Sequence, residues 1–191
     1  MNSKTFVVVS DDKITAELFK DFNHANVILI KDQSSSISRV IKLILKKRIP
    51  LKAVFFMVFA ELMRRKSCTN TKFEVIKSNI ELLNLYRLHK PEKIVLFRAG
   101  LIIKRKLFPS TLKIYNIHCA SLPEYGGLAS IYKARLAGDL NQKATLHVLI
   151  DTIDGGEVLH ELPYKLSPKE SYRRCEDVAY KTGFELLCKT L

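Results

Sequence analysis

The sequence has no apolar run approaching the roughly 20 residues that a helix needs to cross a bilayer. Its opening, MNSKTFVVVSDDK, has no basic start, long apolar stretch or small-residue cleavage site of the kind that marks a secretory leader. Four cysteines, Cys68, Cys119, Cys175 and Cys188, show no CxxC spacing, which argues against a metal-binding set. Free thiols and a cytoplasmic location are the expectation. The glycine-rich phosphate loops GxGxxG and GxxxxGK[ST] are missing, as is the GxSxG elbow of serine hydrolases. Acidic residues are scarce: 19 against 32 Lys plus Arg in 191 residues, a formal charge of +13. Against these absences, 47% of the residues are hydrophobic. A disordered chain carries far fewer. The length suits one domain over residues 1–191 with a core of its own.

The positive charge is concentrated. Between Arg39 and Lys66 stand nine basic residues and a single acid, Glu61. Two apolar series run through the same stretch at helical spacing. One is Ile37, Val40, Ile41, Ile44 and Leu45; the other is Val54, Phe55, Val58, Phe59 and Leu62, with Pro50 between them. A basic helical insertion at about 36–66 is expected, with Asp32 to Ser36 turning the chain into it. Its basic face reads in three ways. It is a solvated face on packed helices, a peripheral contact for an anionic membrane or an acidic protein, or an RNA surface. No RNP-type aromatic motif or zinc-finger spacing supports the last, so no nucleic-acid partner is expected.

The remaining elements alternate. TFVVVS, NVILI, FEVI, KIVLF and LKIYNIH read as strands, and ATLHVLI and EVLHEL as an antiparallel pair across an Asp-Gly-Gly turn whose glycine takes a positive φ. Ser78 and Glu81 have capping-box spacing at a helix start. Residues 128–137 read as a helix closed by Gly138. A last helix is expected to start at Ser167, with Pro168 in its first turn and Glu170 closing the box. Mostly β–α order with a late hairpin predicts a three-layer α/β domain on a largely parallel sheet.

Two stretches carry chemistry. IYNIHCASLPEYGG places Asn116 and His118 two apart at a strand end, hence on one face. TLHVLIDTIDGGEV puts Asp154 seven residues after His147. An amide donor, an imidazole and a carboxylate suit the charge that forms when an amine attacks a carbonyl. Each alone also reads blandly: a structural histidine, a turn aspartate.

Taken together, the two stretches resemble the formyltransferase family of glycinamide ribonucleotide, methionyl-tRNA and sugar N-formyltransferases. That signature is Asn-x-His followed by Pro, Tyr and Gly, matched by Asn116, His118, Pro123, Tyr125 and Gly127. The second motif, a Thr-x-His strand leading to an acidic Gly turn, is matched by Thr145, His147, Asp154 and Gly156. The resemblance covers about residues 73–165. It implies a Rossmann-like fold and transfer of a formyl group from 10-formyltetrahydrofolate to a small-molecule amine. Asn116 and His118 would polarise the formyl oxygen, while Asp154 would raise the His118 pKa and order a proton-carrying water. Leu96, Gly100, Leu101, Ile102, Ile150 and Asp151 would contact the folate, and Tyr125 and Gly127 the acceptor.

The chain departs from the family's best-known members in three places. FRAG replaces their Gly-aromatic folate loop, Tyr125-Gly126-Gly127 lacks the usual arginine, and VSDDKIT replaces the glycine-rich phosphate loop. Asp11 and Asp12 would repel a phosphate there, which makes glycinamide ribonucleotide a poor acceptor; an amino sugar or sugar nucleotide is the acceptor class expected. The basic helices resemble a less characterised branch. The alternatives are a catalytically inactive scaffolding module and a formyl-folate hydrolase. Cys119, adjacent to His118 on the strand, is expected to face the opposite side of the sheet.

Overall fold

The computed structural model describes residues 4–35, 41–42, 44–46, 49–67 and 70–191. The strands are β1 (Thr5–Ser10), β2 (Val27–Asp32), β3 (Glu74–Ile76), β4 (Lys93–Phe97), β5 (Lys113–His118), β6 (Asn141–Val148) and β7 (Val158–Lys165). The helices are α1 (Lys13–Leu18), α2 (Leu51–Met63), α3 (Asn79–His89), α4 (Ser130–Leu136) and α5 (Tyr172–Thr190). One sheet runs β3-β2-β1-β4-β5-β6-β7. The first five strands in that order are parallel, and β6 and β7 pair antiparallel.

Strand parity sorts the core. Phe6, Val8, Ile94, Leu96 and Ile114 face one side with Leu82 and Leu83 of α3. Val7, Val9, Val95, Phe97 and Ile117 face the other with α5, Ile131 and Ala134 of α4, and Ala60 of α2. Apolar residues at every strand position are what a sheet covered on both faces requires. This is the expected three-layer α/β arrangement, with a mostly parallel sheet. Contact is closest at Gly183 of α5, where a Cβ would lie 2.6 Å from Cys119 Sγ and 2.8 Å from the Phe97 ring.

Several local expectations change. The stretch after β1 holds a short helix that its polar sequence hides: Asp12 caps α1 by accepting from Thr15 N at 2.9 Å. The last helix starts at Tyr172, capped by Ser171, whose side chain accepts from Arg174 N. Residues 167–170 instead make a turn, with Glu170 N donating to Ser167 O. The apolar register at 167–171 is too sparse to tell two Ser caps apart. Ser78 does cap α3, and Glu81 reaches back to Lys77 N at 2.8 Å. Leu82 and Leu83 supply the buried stripe of α3, while Ile80 and Leu88 are 56% and 73% exposed. Gly138 follows α4 at φ 71°.

The basic segment differs most. Ser36, Ile37, Arg39, Val40, Lys47, Arg48 and Cys68 lie outside the described residues. Helix α2 packs through a narrow face of Ala53 and Ala60, with Phe56 against Tyr132 and Tyr172. The apolar series expected to seat it turns outward instead: Phe55, Val58, Phe59 and Leu62 are 52–69% exposed. Small alanines let the helix approach closely, and that close fit takes the buried face.

Arg64, counted with the outward cations in the sequence, is buried. Its guanidinium bonds Glu176 at 2.9 Å, Asp177 at 3.0 Å and Glu61 at 3.4 Å, tying the end of α2 to α5. Burial pushes the Glu176 carboxyl above its ordinary value against the opposing pull of Arg64. Removing one member of a buried pair strands the other charge. Arg64→Ala should therefore cost about 3–5 kcal/mol in urea unfolding. Adding Glu176→Gln to that variant should recover part of the loss; no recovery would mean that Glu176 is not the stranded charge.

Candidate active site

Antiparallel pairing between β5 and β6 sets the site. Asn116 lies opposite His147, and on its other side Leu96 of β4 is in register. Asn116 and His118 share the face covered elsewhere by α3, as alternate strand residues must. The link from β6 to β7 spans residues 149–157, a longer loop than the tight turn expected. It doubles back so that Asp154 reaches the β5 side chains. The positive φ falls on Asp154 itself, at 51°, not on a following glycine. Gly156 is needed for a different reason. A Cβ there would lie 1.8 Å from the Val148 carbonyl oxygen.

Asp154 is the hub. Its Oδ1 accepts from Asn116 Nδ2 at 3.1 Å and lies 3.3 Å from His147 Nε2. Its Oδ2 accepts from Gly127 N at 2.7 Å and lies 3.2 Å from His118 Nδ1. Burial alone would raise its pKa. The His147 contact, the His118 ring and the Gly127 amide outweigh that and hold the carboxyl at about 2.

Both nitrogens of His118 face acceptors, since Nε2 lies 2.8 Å from the Tyr125 carbonyl oxygen. An imidazolium would satisfy both contacts. Burial opposes it and prevails over the pull of Asp154, so the His118 pKa is lowered. The expected upward shift is thus reversed in sign: desolvation of a side chain only 10% exposed costs the charged form more than one carboxylate returns.

His147, quoted in the second motif but given no role in the sequence reading, is 1% exposed and joins the cluster. Its Nε2 is 3.0 Å from Asn116 Nδ2, and its Nδ1 is 3.1 Å from the Val148 carbonyl oxygen. With the proton on Nδ1, Nε2 accepts from Asn116 and both amide hydrogens are engaged. With the proton on Nε2, the ring donates to Asp154 and one Asn116 hydrogen is free for a ligand oxygen. Its signal in the sequence was its place on the Thr-x-His strand.

The other predicted residues divide. Leu96 is 4% exposed and belongs to the core beside Asn116. Leu101 packs partly against that core and donates its N–H to Asp32 Oδ2 at 2.6 Å. Gly100 approaches so closely that a Cβ would meet Ser35 Oγ at 2.4 Å. Ile102 and Ile150 are 62% and 45% exposed, and Asp151 is also exposed. Tyr125 meets His118 through its carbonyl, and its ring packs partly against the core. Gly127, at φ 79°, presents its N–H to Asp154. Cys119 faces the α5 layer, away from His118, where burial pushes its thiol up to about 12. That is unsuited to a nucleophile. Among the described residues no His, Cys, Asp and Glu group could hold a metal ion.

Asp154 makes an acid-stability prediction. Its carboxyl falls from 3.8 to about 2 on folding, so its contribution is present above the unfolded value and lost as pH falls through the folded one. The loss should amount to roughly 2 kcal/mol. Asp154→Asn should flatten the decline in urea midpoint between about pH 4 and pH 2. An unchanged decline would remove Asp154 as its source.

The model of the formyl transferase family matches residues 31–191. A methionyl-tRNA formyltransferase of Wolbachia sp. subsp. Drosophila simulans is 30% identical over 107 residues, 56% of this chain. The chain matches about a third of that relative's length, 36%. Phosphoribosylglycinamide formyltransferase from Streptococcus pneumoniae superposes with a TM-score of 0.62 at 18% identity, over 98% of this chain and 96% of its own. A 4-N formyltransferase from Francisella tularensis superposes at 0.62 and 16% identity, over 100% and 68%. Together with the shared sheet, the family match over residues 31–191 makes this chain a member of the formyl transferase family.

Proposed function

We propose that the protein transfers the formyl group of 10-formyltetrahydrofolate to an amine, with an amino sugar or sugar nucleotide as the acceptor class. The observation that carries this reading is the contact of Asn116, His118 and Asp154 on one sheet face, with Asn116 donating to the Asp154 carboxylate and His118 Nδ1 3.2 Å from it. Exposed Ile102, Ile150 and Ile153 beyond that face suit a flat ring system, and Asp151 and the backbone around Leu101 add polar partners.

In this reading the acceptor nitrogen attacks the formyl carbon, and the bond from that carbon to the donor nitrogen breaks. Charge develops on the formyl oxygen. Asn116 Nδ2–H donates to it once the His147 proton sits on Nε2. His118 rests neutral because it is buried; as the oxyanion forms beside it, it takes the proton that the attacking nitrogen loses, and then passes it on toward the departing donor nitrogen. The attacking nitrogen loses one proton and the departing donor nitrogen gains one, relayed by water held at Asp154. No covalent enzyme intermediate is required.

The acceptor class rests on the loop after β1. Asp12 pairs with Arg98, the nearest cation at the switch point between β1 and β4. A phosphate there would meet an arginine already paired with Asp12, and Asp11, which already pairs with Lys31 at 3.1 Å. That favours an acceptor whose amine is read elsewhere.

Asn116→Ala should lower kcat by about 10²–10³ while the protein stays folded, because one oxyanion donor is lost. Full turnover in that variant would sink the mechanism. Mass spectrometry should detect a formylated product with amino-sugar nucleotides and none with glycinamide ribonucleotide. Formate release from the donor alone, at the rate seen with acceptor, would make the protein a hydrolase.

A further inference from the structure

We propose that the outward face of α2 docks on an anionic lipid bilayer. Leu51, Phe55, Phe59, Leu62 and Met63 are 52–69% exposed along this face, and the Phe55 and Phe59 rings stack on one another at 6.1 Å. Each of these side chains sits in water at a cost that only an apolar partner removes. The helix has 13 residues, so it is about 20 Å long and cannot cross a hydrocarbon core of roughly 30 Å. It fits a helix lying flat in the interface.

The charges select the partner. Lys52 stands at the start of the stripe, and Arg65 and Lys66 follow its end, all exposed. Lys42 and Lys46 lie exposed just before it, beside exposed Ile41 and Leu45. The single acid of the stretch, Glu61, is turned inward, accepting from Lys13 N at 2.8 Å and pairing with Arg64. An apolar stripe bracketed by cations, with its acid withdrawn, complements anionic headgroups above acyl chains. A second copy pairing through the same stripe about a two-fold axis would bring Lys52, Arg65 and Lys66 against their like. The stripe also lies on the α5 side of the sheet, whereas Asn116 and His118 lie on the α3 side, so docking leaves the candidate site uncovered.

Vesicle co-sedimentation tests this. The whole protein should pellet with vesicles of phosphatidylcholine containing about one third phosphatidylglycerol, and not with phosphatidylcholine alone. Binding should fall roughly tenfold or more on raising salt to about 0.5 M. Replacing both Phe55→Ser and Phe59→Ser should weaken partitioning by about 100-fold, with an unchanged circular dichroism spectrum, since both rings are exposed. Lys52→Glu with Lys66→Glu should weaken it by about tenfold while leaving the apolar stripe intact. Equal binding to both vesicle types, or no binding to either, would overturn the proposal. So would a protein that sediments as a dimer and becomes monomeric in the Phe55→Ser, Phe59→Ser variant, because a second copy would then own the face.

Discussion

The reversal of chain direction between β5 and β6 is the constraint from which the site follows. Five strands run parallel, and parallel strands present their useful side chains near one edge, each on its own loop. A strand returning alongside β5 does something else. It places His147 directly across from Asn116 on the same face, and it sends the next loop back over that face. The loop then has to bring a carboxylate to two side chains already fixed by the sheet. Gly156 makes the return possible by lying against the Val148 carbonyl, and Asp154 takes the strained left-handed conformation that the return demands. Strain at such a position persists only where surrounding contacts over-determine it, and four donors or rings around one carboxylate do so.

A chain with so few acids places several of them where they are answered individually. Asp154 meets an amide, two imidazoles and a backbone N–H. Glu176 and Asp177 meet Arg64, and Asp12 meets Arg98 while capping α1. Charge in the interior is therefore locally matched, and the excess is pushed to the surface. That division explains how a net +13 coexists with an ordinary core. The lysines are largely a surface property, whereas the buried Arg64 and the partly buried Arg98 are structural.

Layer architecture, strand identities and the strand-end or loop placement of Asn116, His118 and Asp154 were legible in the sequence because they depend on local pattern. Apolar strands, an Asn-x-His at a strand end and an Asp-Gly-Gly loop are short-range signals. What was not legible depends on distance through space. Periodicity alone could not tell which stripe of α2 faces inward, because the helix is apolar on both sides and only the fit of Ala53 and Ala60 to its neighbours decides. The sign of the His118 shift follows from burial, which no spacing reveals. Leu96, expected as a folate contact, takes both its register beside Asn116 and its core burial from one strand position. The inward turn of Arg64 required knowing that Glu176, more than a hundred residues away, lies above it.

Arg98 sits at the crossing between β1 and β4 with a left-handed backbone at φ 61°, stacked 3.6 Å from the Tyr180 ring centroid and bonded to Asp12. Open α/β sheets hold anions at such crossings. Here the anion is a side chain of the protein itself, and it arrives with the fold. The position is filled by the Asp12 carboxylate, which Arg98, the Ser10 hydroxyl and the Thr15 amide all meet. The negative charge at this crossing is written into the sequence, and removing it at Asp12 would unpair Arg98 and uncap α1 in one step.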